Sequence, residues 1–238
     1  MKRDYLLLIK SLIGVIGCFC AFACDKSSVE VPYFEMRPVS KYQRDSLTLT
    51  MSYHNTKINS NVAEYNRYIY NNLVSKAVVV YKGDNIQCAI DSITYTIQWD
   101  RIRGGVRLSE LNATIQGAQY FNTTYLYDEE GRMISAMINI TGGPYFTNFT
   151  YDNSSIEIYI YGPNYEKHVI DLSVEENTGY VCNVLGYPDS QFFNRYVIIP
   201  ELYFLNIFGA PVNRLPVGHP ITRTSNSLRV GNHYYEFP

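Results

Sequence analysis

From Ser46 onward, apolar and polar residues alternate along the chain. Leu47, Leu49, Met51 and Tyr53 are separated by Thr48, Thr50 and Ser52, the period of two that marks a strand with one buried face. The same alternation recurs at 76–81, 86–89, 92–99, 112–116, 122–127, 133–139, 146–151, 156–161, 168–174 and 180–185. Between these runs lie turn signals such as Lys82-Gly83-Asp84-Asn85, Asp128-Glu129-Glu130-Gly131 and Gly162-Pro163-Asn164. Short strands joined by short polar, Gly-containing turns predict an all-β domain. Successive hairpins of this kind make the domain an antiparallel meander. Strands do not alternate with long helical segments, which excludes a βαβ architecture. Two stretches carry helical spacing. Val62, Tyr65, Ile69 and Leu73 predict a helix within 61–73, although Tyr68 and Tyr70 keep a strand reading open. Pro200 to Gly209 has Pro in its first turn, Glu201 beside the positive end of the helix dipole, and Gly at the exit. Its apolar content predicts a short buried helix that plugs one end or face of the sheet.

A hairpin-sized repeat runs through the strands. Trp99-Asp100, Tyr127-Asp128 and Tyr151-Asp152 each close a strand with an aromatic residue followed by Asp. Asp at that place starts a turn by accepting from backbone amides further on. Three such Asp residues also allow an array of carboxylates for a cation, but calcium needs six to eight oxygens converging on one point. Turn formation is the stronger reading.

The amino terminus follows another pattern. Lys2 and Arg3 precede a run from Leu6 to Phe22 that is apolar apart from Lys10 and Ser11, and the run ends at Ala21-Phe22-Ala23-Cys24. A basic start, a short apolar core and small residues before a cut describe an export signal. Residues 1–23 are assigned to it, 24–40 to a polar tether and 41–238 to one β-meander domain. Cys24 directly after a small residue resembles a bacterial lipobox, with Val15-Ile16-Gly17-Cys18 as an alternative cut. The resemblance implies diacylation of Cys24 (alternatively Cys18), so the membrane becomes a partner through a lipid anchor. Loss of Lys2, Arg3, Asp4 and Lys10 moves the net charge from −2 to −4, which argues against nucleic acid as a partner.

Of five Cys, Cys88 and Cys182 lie in the domain. An oxidising compartment permits a disulfide between them. The competing reading makes Cys88 a buried apolar residue sharing a strand face with Ile86 and Ile90. No Cys/His cluster has metal-ligand spacing, and no nucleophile elbow, phosphate loop or dinucleotide fingerprint is present. The sequence therefore names no catalytic residue, metal or cofactor, and leans away from an enzyme.

The hairpin Tyr125-x-Tyr127-Asp128-x-x-Gly131-Arg132-Met133, the lipobox, the Asp91-Ser92-Ile93-Thr94-Tyr95 strand and the late Ile207-Phe208-Gly209 and Asn213-Arg214-Leu215-Pro216 segments resemble a known family. It is the family of uncharacterised Bacteroides-type exported lipoproteins with Tyr-Asp hairpin repeats and a porin-like β-meander fold. The resemblance covers roughly residues 40–238 and implies that the meander forms a curved open sheet or barrel-like body, in an outer-membrane lipoprotein of the cell envelope, on either side of that membrane. It carries no catalytic residues. The chain stops at Tyr234-Tyr235-Glu236-Phe237-Pro238 without a further Asp-Gly hairpin, so the last strand is expected at a sheet edge. Asp45-Ser46-Leu47 and Asp91-Ser92-Ile93 also resemble sites of O-glycosylation in exported proteins of those bacteria, which makes Ser46 and Ser92 candidates; Asp-Ser is equally ordinary turn chemistry.

Composition adds one further feature. The chain holds 23 Tyr against 11 Phe and one Trp, with only 18% charged residues. A dry core needs only Phe, whereas Tyr suits a surface that is half wet and half apolar. Tyr125, Tyr127, Tyr151, Tyr159 and Tyr161 form the candidate aromatic surface, against a plainer role as cross-strand pairs that hold the sheet. The leading functional expectation is a lipid-anchored envelope protein that binds a glycan or a partner protein without catalysis. The alternatives are a carrier or sensor of lipids or other amphiphiles in a barrel-like groove, and a hydrolase with scattered catalytic residues.

Overall fold

The computed structural model describes residues 39–53, 62–82, 85–102, 105–176, 188–203, 205, 207–209, 214–218 and 220–237. Twelve strands pair antiparallel in chain order: β1 (Lys41–Arg44), β2 (Leu47–Tyr53), β3 (Val62–Ile69), β4 (Asn72–Lys82), β5 (Asn85–Ile90), β6 (Ile93–Ile102), β7 (Gly105–Ile115), β8 (Ala118–Tyr127), β9 (Met133–Asn139), β10 (Tyr145–Tyr151), β11 (Ser155–Tyr161) and β12 (Tyr165–Glu176). Two short helices follow, α1 (Gln191–Tyr196) and α2 (Pro200–Tyr203). Four short strands end the chain: β13 (Arg214–Pro216), β14 (Ile221–Arg223), β15 (Ser227–Val230) and β16 (His233–Glu236).

β13 pairs with β12, while β16 pairs with β1 and carries β15 and β14 beyond it. The two edge strands of the sixteen-stranded sheet, β13 and β14, are therefore consecutive in the chain. The five residue steps from Pro216 to Ile221 reach at most about 18 Å. The sheet must curl until its edges nearly meet, as an open barrel whose seam lies between β13 and β14. β13 meets only the second half of β12, from Leu172 to Glu176. Beside the seam, the inner face of β12 carries Glu166 and His168, 3.0 Å apart. Inward charge of this kind blunts an edge strand against unwanted pairing.

The inner face of the long strands is mostly apolar. Leu49, Ile97, Leu111, Ala113, Ile138, Ile156, Ile158 and Ile160 have no measurable exposure. A barrel of this size needs filling, and the segment after β12 fills it. Ser190 caps α1, its hydroxyl accepting from Phe193 N–H at 3.2 Å. Phe193 is fully buried, edge-on to Phe149. The chain then runs past β8 and β7. Thr123 Oγ1 donates to Tyr196 O (2.7 Å), Tyr125 OH to Val197 O (2.7 Å), and Leu108 N–H to Ile207 O (2.5 Å). Val197, Ile198, Leu202, Ile207 and Phe208 are all buried. Irregular backbone in a dry interior requires such partners, since an unpaired carbonyl there is costly.

The outer face is different. Outward residues include Lys76, Gln87, Thr96, Gln98, Asn112, Asn122, Asn139, Asn148 and Thr150, set by alternation opposite the buried ones. Most outward groups are polar, but the outer face also exposes apolar side chains such as Val78 and Val80 on β4.

Several expectations change. The described part of the stretch, 62–73, is not a helix: it contains all of β3, a turn at Tyr70-Asn71 and the start of β4. Tyr70 and Asn71 have φ of 49° and 63°, the left-handed conformation of a two-residue hairpin turn. The helical spacing of Val62 to Leu73 arises from residues on either side of that turn, with a bulge after Arg67. Tyr65, 1% exposed and opposite Met51, anchors β3 in the sheet. The plug does exist, but within Pro200–Gly209 the described α-helix covers only Pro200–Tyr203, and α1 had no sequence signal strong enough to single it out. The last strand is not an edge, because β16 lies between β15 and β1. Val39 is buried and Ser40 N–H donates to Glu236 O at 2.7 Å, so both residues pack with the sheet. The strand expected at 180–185 lies outside the described residues.

Candidate functional site

Exposed apolar side chains gather on the outer face of β9 to β12. Met137 lies opposite Phe146, Phe146 opposite Tyr161, and Tyr161 opposite Tyr165. These four residues form one row across four strands. At about 4.8 Å per strand the row spans about 14 Å. All four are substantially exposed, from 37% at Met137 to 59% at Tyr165. The Tyr161 and Tyr165 rings lie 5.5 Å apart, tilted by 48°. The register follows from hairpin geometry: Gly162-Pro163-Asn164 joins β11 to β12 and sets Tyr161 opposite Tyr165.

Polar residues border the row. On one side Asn139 faces Asn122, whose amide donates to Asn112 Oδ1 at 2.8 Å. On the other, Ser135 Oγ donates to Asn148 Oδ1 at 2.9 Å. Next to Asn148 stands Tyr159, whose hydroxyl donates to Glu157, with Lys167 Nζ 5.0 Å from its ring centre and 2.9 Å from Glu157 Oε1. The Tyr159 and Lys167 hydrogen bonds hold the Glu157 carboxyl below the usual range, and the same carboxylate raises both partners. The one charged pair beside the row is thus neutralised within itself, and the row is neutral.

The five Tyr singled out by sequence do not share a surface. Tyr159 and Tyr161 face outward. Tyr125, Tyr127 and Tyr151 face inward, and their hydroxyls donate to the carbonyls of Val197 (2.7 Å), Leu108 (2.8 Å) and Met133 (2.7 Å). Burial pushes all three phenols above their ordinary pKa. This explains Tyr where Phe would fill the same space: the ring packs while the hydroxyl satisfies a backbone oxygen. Met137, Phe146 and Tyr165 were missed. Alternation along each strand would place them outward, but only pairing across three turns aligns them.

Each repeated Asp serves its own hairpin. Asp128 accepts from Arg132 N–H and Nε, both at 2.7 Å. Asp152 accepts from Ser154 and Ser155 N–H, and these bonds hold its carboxyl down at about 2. Asp100 lies 3.8 Å from Arg107 Nε. Ser46 and Ser92 sit in two-residue turns whose Asp45 and Asp91 have φ of 50° and 54°; Ser92 is exposed and Ser46 half-buried. In a strict meander both turns fall on the same rim. Cys88 is a free thiol, 1% exposed between the equally buried Ile86 and Ile90. Burial, and then the nearby Glu201, push the thiol up to about 12, so it is no nucleophile. Cys182, Cys24 and Cys18 lie outside the described residues. Among the described residues, His168 contacts Glu166, and buried His233 accepts from or donates to Tyr42 OH at 2.9 Å.

No protein-family model matches the chain, and no curated protein sequence does. Among solved structures, the chain is similar to a porin-like protein from Bacteroides uniformis, with a TM-score of 0.52 and 15% identity over 84% of each chain. The β fold is porin-like. Its faces are reversed relative to a membrane-spanning porin, which carries an apolar band about 25 Å tall outside and a polar lumen inside. Here the interior is packed with Ile, Leu and Phe, and the outer rows are mostly Asn, Thr, Gln and Lys. Among the described residues no helix is long and apolar enough to cross a membrane.

Proposed function

We propose that the chain is a lipid-anchored protein of the bacterial cell envelope that binds a neutral glycan on the row Met137, Phe146, Tyr161 and Tyr165. Its attachment rests on the export signal and lipobox at Cys24, which put the barrel outside the bilayer on a tether. The observation that carries the binding reading is an exposed aromatic row, free of net charge and bordered by Asn and Ser side chains. A pyranose offers an apolar C–H face to a ring and hydroxyls to amides and carbonyls at its edge, which matches this arrangement. Contiguous exposed apolar area of this kind marks interaction sites. Binding needs no residue of the barrel interior. The porin-like neighbour lends support through shape alone, and the lipoprotein family through the hairpin and lipobox residues.

The test is a glycan array probed with the purified lipoprotein. Binding to neutral oligosaccharides is expected, weakened at least about tenfold in the Tyr161→Ala/Tyr165→Ala double variant, which keeps its β-sheet circular dichroism and loses only the small stability of one cross-strand aromatic pair. An array that stays at background, or a double variant that binds as well as the parent, overturns the reading.

A further inference from the structure

A cavity of about 150 Å³ lies between the plug and the inner face of β1, β2 and β16. Tyr42, Leu47 and Tyr235 line it from the sheet, and Ile198 and Tyr203 from the plug. The remaining feature of its wall is Arg44, the one charged residue that lines it. Register explains the arrangement. Tyr42 stands between Leu49 and Tyr235, and Arg44 one step further between Leu47 and His233, all on the inner face. A guanidinium in this position is unusual, since the rest of the inner face here is apolar or aromatic.

Arg44 is only 17% exposed, yet its partners are surface carboxylates. Asp189 Oδ1 lies 2.9 Å from Nη2 and is 94% exposed, and Asp45 Oδ2 is 3.9 Å from Nε. An ion pair with so exposed an acid holds weakly and exchanges readily. The Tyr42 hydroxyl is already bonded to His233, and the Asn194 amide donates to Pro188 O. The chemistry on offer is therefore three aromatic rings, three aliphatic side chains (Leu47, Ile198 and Pro200) and one guanidinium fork.

We infer that this cavity is a binding site for a small aromatic carboxylate: one six-membered ring bearing one carboxylate. An apolar cavity of about this volume stays dry and accepts a molecule the size of benzene. It is too small for the acyl chain of a lipid, since drug-sized and larger ligands occupy roughly 300 Å³ or more. The ring packs among Tyr42, Tyr203 and Tyr235, and the carboxylate takes the place of Asp189 on Arg44, where the fork geometry favours two parallel hydrogen bonds. Because half the wall belongs to the plug, an occupant ties the plug to β1 and β16 and stabilises the closed interior. This site is separate from the outer aromatic row, so either can fail without the other.

The test uses the full lipoprotein in detergent, with phenylacetate as the charged probe and benzyl alcohol as its neutral counterpart. Calorimetry is expected to show one phenylacetate bound per chain, with a rise in melting temperature. Arg44→Met is expected to weaken phenylacetate at least about tenfold while leaving benzyl alcohol unchanged. Ile198→Trp, which fills the space, is expected to abolish both. Absence of heat and of any thermal shift with native protein at millimolar probe overturns the inference. So does an Arg44→Met variant that binds phenylacetate as tightly as the parent.

Discussion

Individual residues act here mainly by satisfying backbone groups in a crowded interior. Tyr125, Tyr127 and Tyr151 each end on a carbonyl that water cannot reach, and Asp128 and Asp152 each close a turn. Gly209 is the tightest case. Its φ is +81°, and a Cβ there would stand 2.5 Å from Tyr127 Cε1 and against the Gly131 carbonyl. At Gly209 the plug is pressed onto the β8–β9 hairpin, and only a residue without a side chain fits. Gly209→Ala combines left-handed strain with overpacking, so a loss of about 3 kcal/mol is expected in urea unfolding. An alanine variant as stable as the parent would mean that the plug exit lies elsewhere.

At the scale of elements, a buried acid adds an ion pair to the hydrogen bonds that join the plug to the sheet. Glu201 in α2 is 5% exposed, with Oε1 3.3 Å from Arg67 Nη1 on β3. Burial raises its pKa, and Arg67 offsets this only in part. The sign follows from linkage. Above the ordinary Glu value of 4.5, the unfolded chain has lost this proton while the folded one still holds it. The contribution of Glu201 is therefore fullest below 4.5 and falls as pH rises through the folded pKa. Glu201→Gln is expected to remove that fall and to leave the protein more stable than the parent at neutral pH. Arg67 keeps Asp91, 3.7 Å away, and contact with solvent. Denaturant midpoints of parent and variant across pH 4 to 8 check this; parallel curves would contradict it.

For the whole molecule, the reversed faces matter most. A barrel with a packed apolar interior and polar outer rows has no reason to enter hydrocarbon, because Asn, Lys and Gln on its outside would lose water. On the proposed anchor, membrane attachment runs through the acyl chains of Cys24. Exported protein carrying Cys24→Ser is expected to stay with the aqueous fraction in vesicle flotation, while the parent floats. A serine variant that still floats would point to Cys18 as the anchor, or to binding through the barrel surface.

Much of the fold was legible in the sequence because a half-buried strand repeats every two residues, and a turn needs Asp, Asn or Gly at known places. That local chemistry determined the hairpins of β4 to β11 and the buried face of Cys88. It failed at Val62–Leu73, where a left-handed turn between two strands imitates helical spacing. It also could not sort the tyrosines, since Tyr125 and Tyr161 look alike until each strand has a face. Only the tertiary structure decided which tyrosines brace the plug and which join Met137 and Phe146 outside. Likewise, only the pairing of β16 with β1 brought Tyr42, Arg44 and Tyr235 against Ile198 and Tyr203. The reason is physical: alternation is a property of neighbours in the chain, whereas register and barrel closure depend on contacts between residues up to about two hundred positions apart.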